Sequence, residues 1–349
     1  MELGLIGLAQ AGKTTLFDAL TGQRTEPSGA RGTHTAVVKV PDPRVERLSA
    51  LYQPRQTTFA EVTFVDPVAE RPDAASPGAF PEATANVLRD VDALVHVIRS
   101  FADPSVPAPP GSTTPGGDLR TLEDELILRD LALVERRLER LRKERGKPES
   151  MAELALLEPA QTHLETGRPL RDLGWSEEQR GRLRGFQFLS LKPVLVVVNV
   201  GEDDLGGRLQ LPEERPGRHV LALSARIEHE LSELSPAERQ EYLAHLGCTD
   251  AAQGVFVRGA FRLLDLISFF TVGEDEVRAW PVRRGAPAPV AAGKIHSDLQ
   301  NGFIRAEVIH YDDFVRVGSL GAARSQGLLR LEGKNYEVQD GDILHVRYA

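Results

Sequence analysis

Hydrophobic and polar positions follow three different patterns along this chain. Up to about residue 117, and again from 190 to 275, short continuous apolar runs alternate with amphipathic stretches. The runs at 3–6, 93–98, 194–198 and 220–223 have the length and continuity of strands buried on both faces of a parallel sheet. Two further strands are expected at 35–40, stopped by Pro41-Asp42-Pro43, and at 58–65, ending in Asp66. Helices are expected at 14–20, 44–52, 82–90, 227–234, 236–246 and 251–266. Strand and helix therefore alternate as in a doubly wound α/β sheet. Residues 22–32 and 67–81, rich in Gly and Pro and without periodicity, predict loops.

The pattern breaks at a Pro, Gly, Ser and Thr linker, 103–117. Beyond it, Leu122, Leu126, Leu133, Leu138 and Leu141 recur among dense charges, which predicts a long amphipathic helix over 119–147. Helices at 149–165 and 176–188 complete an inserted helical module, 118–189, with the look of a helical hairpin. Its charges read either as a solvated face or as a partner-binding arm. From about residue 276 the pattern changes to short strands and turns, at 278–283, 303–309, 335–338 and 343–348, the last after Asp340-Gly341-Asp342. That predicts a separate small α+β domain over 276–349; no internal repeat is evident.

Composition narrows the class. The 349 residues are 41% apolar and 27% charged, and no apolar run is long enough to span a bilayer. The chain opens Met-Glu-Leu and passes almost at once into a glycine-rich loop, so no signal peptide and a cytoplasmic location are expected. A lone cysteine, Cys248, fits a reducing compartment. The net charge of −9 supplies no global basic field, so an RNA or ribosome partner would be engaged through a local patch.

The glycine-rich loop carries the first chemistry. Gly7, Gly12, Lys13 and Thr14 occupy the four fixed places of G-x-x-x-x-G-K-[ST], between an apolar run and a helix start. In that setting backbone N–H groups from Gly7 through Gln10, Ala11 and Gly12 to Thr15 converge on phosphate oxygens. Lys13 reaches the β/γ-phosphates and Thr14 holds Mg²⁺. In an open parallel sheet the ligand sits beyond the carboxyl ends of the strands, so their last residues are the next candidates. Asp66 reads as a support for Mg²⁺ or as a turn cap before Pro67. The run at 194–198 ends in Asn199-Val200-Gly201-Glu202, where guanine-specific enzymes present Asn-Lys-x-Asp. The guanine-selective carboxylate is altered, while Asn199 still offers hydrogen bonds to a purine edge. The last run ends in Ser224-Ala225-Arg226, suited to a loop covering the base.

With these residues in hand the chain resembles the YchF subfamily of Obg-like ATPases, within the TRAFAC class of P-loop NTPases. The resemblance runs almost end to end. It rests on GLAQAGKTTLFDALT, VPDPRVERL, DALVHVIRSF, KPVLVVVNVGE and SARIEHEL, and above all on the C-terminal block from ISFFTVGEDEV through AAGKIHSDLQNGFIRAEVIHYDDFV to LRLEGKNYEVQDGDILHVRY. It implies a Ras-like G domain over 1–117 and 190–275, a coiled-coil helical insertion, and a C-terminal β-grasp TGS domain. It further implies ATP as well as GTP as nucleotide, because the family carries N-x-x-E, and a link to the ribosome and translation.

Departures from the family cluster around hydrolysis. The family's D-x-x-G is here Asp66-Pro67-Val68-Ala69, followed by Glu70, a candidate to orient water or a solvent-exposed loop carboxylate. The first switch is shorter than in the family, with Thr33 or Thr35 as candidates for a second Mg²⁺ contact. Where the family places a histidine implicated in hydrolysis, gapless counting from Arg99-Ser100-Phe101 reaches Ala108. Two functions follow. One is slow Mg²⁺-dependent hydrolysis of ATP or GTP. The other is a nucleotide-dependent binding module with negligible turnover that engages a ribosomal or RNA-protein partner through the helical arm and TGS domain.

Overall fold

The computed structural model describes residues 1–22, 33–67, 80–108, 114–143, 148–205, 211–245 and 252–349. Glu70 and Cys248 lie outside the described residues. In chain order the first elements are β1 (Glu2–Ile6), α1 (Lys13–Thr21), β2 (Thr33–Lys39), α2 (Pro43–Tyr52), β3 (Gln56–Thr58), β4 (Glu61–Pro67), α3 (Glu82–Asp90) and β5 (Ala93–Ser100). Then come α4 (Pro115–Lys143), α5 (Pro148–Glu165), α6 (Glu177–Leu183), β6 (Val194–Val200), β7 (Arg218–Leu223), α7 (Ala225–Glu233), α8 (Pro236–His245) and α9 (Ala252–Leu263). The last are β8 (Leu266–Val272), β9 (Glu276–Arg283), α10 (Ala288–Ile295), α11 (Ser297–Asn301), β10 (Phe303–His310), α12 (Tyr311–Val317), α13 (Leu320–Ser325), β11 (Arg330–Glu332) and β12 (Asp342–Tyr348).

The first sheet has the order β2-β4-β1-β5-β6-β7, and the pairs β1/β4, β1/β5, β5/β6 and β6/β7 are parallel. All of β6 and all but the last residue of β5 are buried, as expected of central strands covered on both faces. The strand order reverses about β1, so the loop following β1 sits at the switch point where such sheets bind ligands. The long helix α4 serves two cores. Leu119, Leu122 and Leu126 pack with Leu94, Ile98 and the β6 valines, while Val134, Leu138 and Leu141 pack with Leu157, Ala160 and Leu164 of α5. Arg137 and Glu153 pair across the two helices at 2.6 Å. The expected helical insertion is thus present, with its base inside the core of the parallel sheet.

The chain separates into two compact units, 1–37 with 63–259 and 38–62 with 260–349. The second contains the sheet β11-β10-β12-β8-β9-β3, of mixed direction. Three expectations differ here. The strand expected at 58–65 is two strands: Gln56, Thr57 and Thr58 pair parallel with β9, and β4 starts only at Glu61. The helix expected to reach 266 ends at Leu263; Asp265 turns through φ 49°, and LISFFTV enters the second sheet as β8. A continuous apolar run after a helix does not reveal its period, which hid that strand. No strand forms at 335–338, where Glu337 makes only an isolated bridge to Pro287; the short strand is β11. Among the described residues no helix is long and apolar enough to cross a membrane.

Candidate nucleotide site

The loop after β1 turns into α1 through backbone that side chains rarely adopt. Gln10 (φ 58°) and Gly12 (φ 92°) are both left-handed, and Gly12 is the N-cap of α1. A Cβ on Gly12 would lie 2.2 Å from Asn199 Nδ2, and one on Gly7 would lie 2.5 Å from the Val97 carbonyl. Torsion and space both demand glycine at 12, and space alone demands it at 7. The result is a helix N-terminus whose free N–H groups face the loop, an arrangement that favours anions. Lys13 Nζ donates to the carbonyls of Gly7 and Leu8, each at 2.9 Å. Burial lowers the pKa of this ammonium and nearby Asp66 offsets part of that. Thr14 and Thr15 are exposed in the first turn of α1.

Asp66, 5% exposed, stands near the end of β4. Burial raises its pKa, against the pull of Lys13 and His34 toward the carboxylate. Thr33 and Thr35, the candidates for a second Mg²⁺ contact, flank His34 on β2. They are exposed and alternate along β2 with His34, Ala36 and Val38, which turn inward. His34 is the residue of this strand that acts on Asp66; its ring lies 6.3 Å from Phe17, and its buried Nδ1 has no partner among the described residues.

Asn199 is the knot of the site. It is 4% exposed, its Nδ2 donates to the Ala11 carbonyl at 3.0 Å, and its Oδ1 accepts from the Ala225 N–H at 3.0 Å. One amide thus fixes the phosphate loop to the turn before α7, using one of its two N–H groups and one of its oxygen lone pairs. The Ser224 hydroxyl caps α7 by accepting from the Ile227 N–H at 3.5 Å. Glu202 and Arg226 are both exposed, and Arg226 Nε donates to Glu230 at 3.1 Å.

Sequence reading missed Arg99 as a site residue. Its guanidinium donates to the carbonyls of Gln10 at 3.4 Å, Pro107 at 3.3 Å and Phe101 at 3.3 Å, and also to Val106. It also lies 4.3 Å from the centroid of the Phe101 ring. Arg99 therefore holds segment 101–107 against the phosphate loop. The signal was a cation near the carboxyl end of a strand buried almost throughout, where burial demands several partners.

The chain is similar to known proteins over almost its whole length. Residues 266–349 match the family YchF-GTPase_C, described as a protein of unknown function (DUF933). The ribosome-binding ATPase YchF of Bacillus subtilis (strain 168) is 35% identical, with 100% of this chain and 99% of the relative covered. That of Haemophilus ducreyi is 37% identical over 99% of each chain. Obg-like ATPase 1 of Oryza sativa subsp. japonica is 33% identical, over 100% of this chain and 92% of its own. The solved structure of the Schizosaccharomyces pombe YchF GTPase superposes with a TM-score of 0.85 at 29% identity, covering 99% of this chain and 97% of that one.

Proposed function

The chain belongs to the YchF family of Obg-like ATPases, and on that premise we propose that it binds ATP or GTP at the loop after β1, hydrolyses it slowly with Mg²⁺, and works at the ribosome. One observation carries the reading: the left-handed Gly12, the inward Lys13 and the N-terminus of α1 form a phosphate cradle that Asn199 locks in place. The ribosome enters from the names of the relatives. ATP stands beside GTP because Glu202 replaces the guanine-selective aspartate and is exposed at the rim.

The Thr14 hydroxyl and the Asp66 carboxylate are hard oxygen donors that suit Mg²⁺, and they are the residues to hold it. Among the described residues no group of three or more His, Cys, Asp or Glu forms a metal site of its own, so the nucleotide's phosphates would supply further oxygens. When bound, the ion neutralises charge on the β- and γ-phosphates. The protein's own groups do the rest. The N–H groups of the loop and Lys13 stabilise charge that grows on the γ-phosphate oxygens as water attacks in line. Asn199 and Arg99 keep the loop from shifting. Thr33 and Thr35, exposed on β2, receive no role.

A second reading is favoured by Ala108, exposed in the slot where the family resemblance places a histidine. A methyl group neither accepts a proton nor orients water, so turnover should be slow and a nucleotide-dependent binding module with negligible hydrolysis is the competing function. In either case the helical arm and the C-terminal unit are the surfaces offered to the ribosome. Phosphate release from MgATP, in the wild type and in Lys13→Ala, decides. Slow Mg²⁺-dependent release abolished by the substitution supports the ATPase. Tight binding without release supports the module. Strict GTP selectivity would contradict the reading of Asn199 and Glu202.

A further inference from the structure

Away from the phosphate loop, α4, the turn at 166–172 and the start of β7 enclose a cavity of about 510 Å³. Its organising residue is Glu123 of α4. The carboxylate accepts from Arg171 Nη1 at 2.6 Å and, through both oxygens, from Arg218 Nη2 at 2.6 Å. The two arginines are 5% and 6% exposed. Two buried guanidinium groups share one carboxylate, so the cluster keeps a positive charge where desolvation is costly. Arg171 Nη2 and Arg218 Nε are also buried and have no hydrogen-bond partner among the described residues. Arg120, Arg168 and Arg215 line the cavity with Asp124 and Asp172, and Arg215 also pairs with Glu213 at 3.1 Å. His96 senses the same field: burial first, then Arg171 and Arg218, hold its pKa at about 3.

We infer that this cavity binds a small phosphate-bearing anion, with Arg218, Arg168 and Arg215 as its recognition groups. Guanidinium forks match phosphate oxygens, and two buried guanidinium groups that share one carboxylate leave positive charge and N–H donors for such an anion to meet. The volume leaves room for a small ester group beyond the phosphate. The bound anion would join the base of the helical arm to the edge of the parallel sheet.

The test is calorimetric titration of the full chain carrying Lys13→Ala, which removes the main cation of the phosphate loop. Inorganic phosphate, ribose 5-phosphate and acetate are compared at constant ionic strength. The expected result is one saturable phosphate site that acetate does not fill. Tighter binding of ribose 5-phosphate identifies an ester as the ligand, and equal binding identifies free phosphate. In Arg168→Gln/Arg215→Gln, whose sites are exposed and whose thermal midpoint reports the fold, affinity should fall at least tenfold. Absence of saturable phosphate binding, equal binding of acetate, or an unchanged affinity in a folded double variant overturns the inference.

Discussion

Two corners of the parallel-sheet unit each tie distant segments to one polar side chain, and they do it with opposite electrostatics. At the phosphate loop the side chain is Asn199, a neutral amide whose bonds to the Ala11 carbonyl and the Ala225 N–H are complete. At the base of the arm it is Glu123, a carboxylate holding Arg171 and Arg218, both of which keep an unpartnered N–H among the described residues. A neutral amide fixes geometry without adding charge, and the loop's own N–H groups and Lys13 are left to set the field for phosphate. A shared carboxylate also fixes geometry, but it leaves a positive surplus that must be met from elsewhere. The same structural task thus has two physical solutions, one silent and one that attracts ligand.

The contrast can be broken at four places, the three read at fixed pH in falling order of effect. Glu123→Ala strands two buried guanidinium groups and should cost about 3–5 kcal/mol of stability in urea unfolding. A loss under about 1 kcal/mol would mean that water already relieves the cluster. Gly12→Ala places a methyl group onto the Asn199 amide at a left-handed residue. Nucleotide affinity should fall by on the order of 100-fold, roughly 3 kcal/mol, in an equilibrium titration. Asn199→Ala leaves a carbonyl and an N–H unpaired at the loop, and roughly 2 kcal/mol of nucleotide binding, about 30-fold, should go with them. No change would show that the loop holds its shape alone.

The last test reads a slope in pH and not a loss at one pH. His96 is held at about 3, so between its ordinary range and that value the unfolded chain takes up a proton that the native one refuses. Its contribution therefore falls as pH drops from about 6.5 toward 3, and His96→Gln should flatten that limb of the stability profile. Asp130 works with the opposite sign. Burial pushes it up to about 6, against hydrogen bonds from Ser190 and Leu189, so its contribution improves as pH falls through that value. Comparing variant with wild type across pH isolates the histidine, and identical profiles would place His96 in solvent.

Much of the nucleotide corner was legible because its constraints are local. The spacing of Gly7, Gly12, Lys13 and Thr14 encodes a turn and a helix start, and α3 occupies the same residues, 82–90, that its composition indicated. Asn199 was legible as a candidate at the end of its strand but not as the tie between Ala11 and Ala225, which are 188 and 26 positions away. Glu123, Arg171 and Arg218 were illegible for the same reason: each reads as an ordinary surface charge until the fold buries them together. The short β3 leaves its neighbours to join β9 some 220 residues on, and no window of local periodicity carries that pairing.

The most direct test of the central claim is the dissociation constant of MgATP for the full chain against Lys13→Ala. Saturable binding at one site per chain, weakened at least about 100-fold by the substitution, is the predicted result. Binding that is absent from the wild type, or unchanged in Lys13→Ala, would contradict it.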